Sequence, residues 1–359
     1  MKNIFLIVFA IFMAGSCSKE NGNIPDVDTE SLLPPIQKGI ISTGSKGIPI
    51  PQGIIDNSLV DGFMVIAAWS DVEISEGNFD WSFIDSEIDR ASAGNEKVRI
   101  AIHTGGSDIP TWVMQNYPKI KEIFVYDKRT FIKRYQPAYW DTQFIEIKSN
   151  FFKAIADRYS DNSSVFAISI SMVDPNTGDW AFKIKDNEQK QSFLSSGFTE
   201  TTFIDAYKTL IDNAMENCKN KYITTAVGPI SPMLVSDEYF ALYKVLNYAF
   251  NTYGNHLIIA KGSLNANTPN PNLDSNLRTW QLMWDFKPHC AGQFVWSVTN
   301  DPSYKMNGKN SYVNKDSIYS AAFNLGIIYG LNWIEPWKAD LLNPNLQDEL
   351  EDARNILIQ

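Results

Sequence analysis

Eight short apolar runs, each followed by a longer amphipathic stretch, predict a (β/α)8 TIM barrel for this chain of 359 residues. The runs are bounded by turn residues and alternate with helix-length segments, as the repeated β-α units of a parallel sheet require. The length holds a barrel of about 250 residues with insertions. Neither a glycine-rich phosphate motif nor an internal repeat is present, so a doubly wound nucleotide-binding sheet has nothing to stand on.

Residues 63–68 form the first expected strand, and 79–93 a helix with Phe83, Ile84, Ile88 and Ala91 on its inner face. Residues 98–103 make the second strand. Between Thr104 and Tyr139 the pattern is irregular. A third strand is expected near 123–126, and the length of the stretch marks a functional loop. A helix over 144–159 spaces Phe144, Ile147, Phe151 and Ile155 for one face, and 165–172 is the fourth strand. Thr202 with Asp205 resembles a capping box ahead of a helix at 203–215. Strands at 222–227 and 256–261 then alternate with helices at 239–250 and around 277–285. The seventh strand, 292–298, is followed by a helix at 318–329, and the eighth, 331–337, by a closing helix at 346–358.

Ahead of this rhythm, Lys2 precedes an apolar run from Ile4 to Ala14 that is closed by small residues and a cysteine. That is a signal peptide, too short for a permanent span of about 20 apolar residues. The order Ala14-Gly15-Ser16-Cys17 is similar to a bacterial lipoprotein box, which implies a lipidated Cys17 at the start of the mature chain. Residues 1–17 are therefore expected to be a lipoprotein signal peptide. Residues 18–51, rich in Asn, Pro, Gly, Asp and Ser, read as a flexible tether, and 52–359 as the barrel. The protein is expected to be exported and anchored by lipid in the bacterial cell envelope.

Charge narrows the partners. Lys plus Arg number 31 against 41 Asp plus Glu, a net of -10, which argues against nucleic acid. No required protein partner is evident. Cys218 and Cys290 read as buried thiols, and no Cys/His cluster has metal-ligand spacing, so neither metal nor cofactor is expected.

In a barrel the site lies where the strands end at their carboxyl side. Trp69 and Glu73 follow the first expected strand, His103 the second, and Asp174, Asp179 and Trp180 the fourth; Gln293 and Trp296 lie in the seventh, Glu335 and Trp337 in the eighth. Aromatic residues make up 13% of the chain, more than a core needs. Rings beside carboxylates suit a sugar, whose C–H face stacks on them while its hydroxyls need acceptors. Trp69, Trp180, Trp296 and Trp337 are the candidate platforms, with Glu73, His103 and Gln293 as binding groups. Asp174 precedes Pro175-Asn176 and has the composition of a turn.

The passage GFMVIAAWSDVEISEGNFDWSFIDSEIDRA, then VRIAIHTGGSDIPTWV, resembles the opening of the (β/α)8 retaining glycoside hydrolases, closest to family 42 β-galactosidase-like domains. YWDTQFIEIKSNFFKAIADRYSDNSSVFAISI is similar to the helix and strand that deliver the acid/base in that clan. The resemblance covers roughly residues 60–340 and implies hydrolysis of O-glycosidic bonds by two carboxyl groups. Where the clan carries a Glu after Asn at the end of strand four, this chain reads Ser171 to Trp180. Its Gly178-Asp179-Trp180 is similar to a Gly-Glu-Trp found in some of these barrels. At strand seven, where the clan keeps its nucleophile, stands Gln293. Asp179 as proton donor and Glu335 as second carboxylate form the expected catalytic pair. A barrel that binds surface glycans without cleaving them is the alternative.

Overall fold

The computed structural model describes residues 33–359 apart from 127–130, 171–179, 302–303 and 308–313, and without the side chains of 180 and 278. Cys17, Asp174 and Asp179 lie outside the described residues, as does the side chain of Trp180.

Eight parallel strands close on themselves: β1 Gly39–Ser42, β2 Gly62–Ala68, β3 Lys97–His103, β4 Val165–Ile170, β5 Tyr222–Ile230, β6 Leu257–Leu264, β7 Cys290–Phe294 and β8 Trp333–Glu335. Pairing of β1 with β8, in the register Gly39 to Trp333, completes the ring. The (β/α)8 barrel is the fold that the strand-helix rhythm predicts, but two of its expected elements change place.

The first barrel strand is Gly39–Ser42, inside the segment expected to be a tether, so the barrel begins before residue 52. Four residues buried on every face show no alternation, and flanking Gly, Ser and Lys disguise them as linker. At Gly39 the backbone φ is +109° and an added Cβ would stand 2.0 Å from Asp61 Oδ2, so only glycine fits. The expected strand near 123–126 is instead one arm of an antiparallel hairpin, Glu122–Tyr126 with Lys133–Pro137. A chain that returns after so few residues has no room for the helical crossover that a parallel neighbour needs.

Around the strands run the longer helices Ser82–Gly94, Thr142–Tyr159, Glu200–Asn217, Glu238–Tyr253, Lys315–Ile328 and Gln347–Leu357. Side chains of Asp141, Asp237 and Asn314 cap three of their first turns. The capping box also moves: Thr199 is the cap and Thr202 its reciprocal partner, so the helix starts three residues earlier than the pair Thr202 and Asp205 suggests. Cys218 and Cys290 are buried free thiols.

The alternation of each strand fills the barrel in layers. Ile41, Phe166, Tyr222, Ile258, Ala291 and Trp333 pack together as an apolar floor. Two residues beyond Ala167, Tyr222 and Trp333 of that floor come Ser169 of β4, Thr224 of β5 and Glu335 of β8, joined by Arg99 of β3, all hydrogen-bonded inside the barrel. Above that polar layer the interior opens.

Candidate active site

A cleft of about 340 Å³ opens at the carboxyl ends of the strands, with Arg99, His103, Gln293, Trp296, Glu335 and Trp337 in its lining. Glu335 is 2% exposed. Its Oε1 accepts from Trp333 Nε1 at 2.8 Å and from the guanidinium of Arg99, which reaches across from β3. The other side of that guanidinium group donates through Nε to Ser169 Oγ at 3.1 Å and Thr224 Oγ1 at 3.2 Å. A carboxylate so held is oriented and compensated, as a buried charge must be.

Gln293 is the register partner of Glu335 on the neighbouring strand. Gly262 of β6 makes room for it: a Cβ there would come within 3.0 Å of Gln293 Oε1. Beyond the strand ends, the rings of Trp296 and Trp337 meet at 5.5 Å between centroids and 41° between planes. Their indole N–H groups are spent on backbone, Trp337 on Phe294 O at 2.8 Å and Trp296 on Asn300 O at 2.7 Å. Asp340 locks the loop between them by accepting from Ser297 Oγ, Val298 N and Thr299 N. Burial raises the Asp340 pKa, and those hydrogen bonds oppose the rise. The platform is thus fixed before any ligand arrives.

On the opposite wall His103 ends β3, and its Nδ1 lies 3.6 Å from Asp108 Oδ2. Lys46, from the loop after β1, pairs with the other oxygen of Asp108. Burial alone would raise the pKa of Asp108, but His103 and Lys46 outweigh it and hold the carboxyl below its ordinary value.

Trp69 and Glu73 do not join this cleft, which corrects their assignment as sugar contacts. The Trp69 ring is fully buried, stacked on Phe151 at 5.0 Å and edge-on to Trp112 at 6.1 Å. Its Nε1 donates to Glu73 Oε2 at 2.7 Å, and Gly77 N donates to Glu73 Oε1 at 2.8 Å. Glu73 therefore staples the turn after β2, and its burial, opposed by these bonds, raises its pKa. The chain leaves Asp179 by a short strand, Trp180–Phe182, whose Trp180 is paired in register with Val227 of β5.

Sequence reasoning passed over Arg99, Asp108 and Lys46. Arg99 carried a signal, since a guanidinium in the middle of the run Val98 to Ile102 must find a buried partner. Nothing local announces that Lys46, Asp108 and His103 meet. Among the described residues no group of three or more His, Cys, Asp and Glu is placed to hold a metal ion.

A family model described as Beta-galactosidase matches residues 62–174. No curated protein sequence matches the chain. Among solved structures, the catalytic domain of a β-amylase from Paenibacillus polymyxa is 10% identical, with a TM-score of 0.55 over 89% of this chain and 98% of that one. A β-galactosidase from Halorubrum lacusprofundi is 11% identical, with a TM-score of 0.52 over 89% of this chain and 58% of the other. A β-galactosidase from Marinomonas ef1 is 9% identical, with a TM-score of 0.51 over 88% of this chain. The chain spans only 59% of the length of that enzyme. At such identities the likeness is one of fold: a (β/α)8 barrel.

Proposed function

We propose that the protein binds a saccharide in the cleft and hydrolyses an O-glycosidic bond there. The observation that supports this reading best is the fixed Trp296 and Trp337 pair beside the oriented carboxylate of Glu335. A pyranose ring laid on the indoles presents its C–H face to them and its polar edge to His103, Gln293 and Glu335. Glu335 is the carboxylate that acts as nucleophile or base, and Asp179 supplies the proton to the leaving oxygen. The matching β-galactosidase family model and the carbohydrate-acting enzymes of similar fold agree with that chemistry.

A second reading has its own support. Gln293 stands beside Glu335 where a second carboxylate would complete a pair within the barrel, and Glu335 accepts from both Arg99 and Trp333 on one oxygen. A barrel that binds glycans without cleaving them fits those facts. Incubation with a broad panel of oligosaccharides decides: product release supports the hydrolase, whereas tryptophan-fluorescence binding with no product across the panel replaces it by the binder. We also propose export with a lipid on Cys17, supported by the Ala14-Gly15-Ser16-Cys17 order. Unchanged membrane fractionation of Cys17→Ser refutes the anchor.

A further inference from the structure

The hairpin Glu122–Tyr126 with Lys133–Pro137 stands outside the barrel, inserted after β3 and therefore at the same end as the cleft. Its first arm is buried through Ile123, Phe124 and Val125. The backbone N–H of Gly106, in the turn that carries Asp108, donates to Gln136 Oε1 at 2.9 Å and ties the hairpin to the His103 wall. Toward solvent it presents Phe131 at 63%, Ile132 at 61% and Tyr135 at 67% exposure. No other run of five described residues exposes three large apolar side chains. Monomeric proteins rarely leave such a patch without a use.

Charge identifies the use. Lys133, Arg134, Lys183 and Lys185 are exposed around these rings, against Asp186 and Glu188, in a chain whose net charge is -10. Lys185 Nζ lies 4.4 Å from the Tyr126 ring centroid and 4.8 Å from that of Phe131, and Lys133 Nζ 4.7 Å from that of Phe124. An ammonium group over an aromatic face is attracted by the ring's negative face. Carboxylates complete the rim: Asp186 accepts from Tyr126 Oη at 2.7 Å, and Glu188 pairs with Lys133.

We infer that this face is a second saccharide site, separate from the cleft, and that it takes an acidic chain bearing carboxylate or sulfate groups. Tyr135 and Phe131 stack against sugar rings, Lys185 meets an anionic substituent, and the paired Lys133 and Glu188 border the site. An anionic lipid surface would also attract exposed rings and lysines. The place of the hairpin favours the saccharide: it stands at the cleft end of the barrel and is tied through Gln136 to the His103 wall, so a chain bound on it runs beside the cleft, and this choice rests on the saccharide reading of the cleft.

Affinity electrophoresis of the full chain in gels containing polygalacturonate, alginate or a sulfated glycan tests this, with neutral galactan and xylan alongside. Acidic chains should retard the wild type more than neutral ones, and added salt should weaken the effect. Tyr135→Ala and Lys185→Gln, both at exposed positions, should each weaken retardation by about threefold to tenfold. Trp296→Ala should weaken retardation by the acidic chains less than either hairpin variant does, which separates this site from the cleft. Retardation abolished by Trp296→Ala and indifferent to the hairpin variants overturns the proposal while leaving the cleft reading intact. Equal retardation by neutral chains, no retardation at all, or hairpin-dependent sedimentation with phosphatidylserine vesicles in its place overturns it too.

Discussion

Arg99 and Glu335, 236 positions apart in the sequence, form an ion pair in the interior of the barrel, each almost wholly shielded from water. The pair sits on the apolar floor and beneath the cleft, so it is both a structural element and the floor of the site. That double position makes its removal informative.

Arg99→Met should destabilise the fold by about 3–5 kcal/mol, because it strands a buried carboxylate. The double change Arg99→Met with Glu335→Leu should recover most of that loss. Thermal unfolding of the two variants checks this. If the single variant melts with the wild type, the ion pair does not bridge the barrel.

Glu335→Gln and Asp179→Asn should each lower turnover by on the order of 10²-fold or more while substrate still binds. The amide at 335 leaves Arg99 less well compensated, so rates belong at a temperature where both proteins are folded. Undiminished hydrolysis by either variant removes that residue from the catalytic pair.

Trp296→Ala and Trp337→Ala should each weaken saccharide binding by about 1–2 kcal/mol, the scale of a lost aromatic contact with its burial. Titration calorimetry reads the loss directly. Because the two rings touch, the double variant should lose less than the two single losses added together.

Two buried groups set opposite slopes of stability with pH. Burial, then the carboxylate of Asp61, pushes Glu96 up from 4.5 to about 7, against the pull of Arg354. Its protonated form is favoured by folding, so its contribution is complete below about 4.5 and is lost as pH rises through about 7. Burial brings Lys148, on the inner face of the helix Thr142–Tyr159, down from 10.5 to about 7. Its contribution is complete above about 10.5 and is lost as pH falls through about 7. Glu96→Gln should flatten the melting-temperature profile between pH 5 and 7, and Lys148→Met the profile between pH 7 and 10. Profiles parallel to the wild type in those windows refute the assignments.

What the sequence determined by itself is the architecture and most of the cleft rim. The alternation of apolar runs with amphipathic stretches is a local pattern, and eight repeats of it leave a closed parallel barrel as the economical solution. Within such a barrel the strand ends converge on one face, which is why His103, Gln293, Trp296, Glu335 and Trp337 could be read as neighbours and are found lining one cleft. The tertiary structure alone decided which strands compose the ring. Gly39–Ser42 has no pattern of its own and is a strand only because β2 and β8 offer it hydrogen bonds on both sides. The arm at Glu122–Tyr126 has a strand pattern yet pairs with its own return. Burial was likewise decided at long range. Trp69 follows a strand as Trp337 does, but Phe151 and Trp112 close over it, while Trp337 stays partly exposed beside Trp296 in the lining of the cleft. Periodicity records which way a side chain points along its own element; what covers it depends on segments that are distant in sequence and adjacent only after folding.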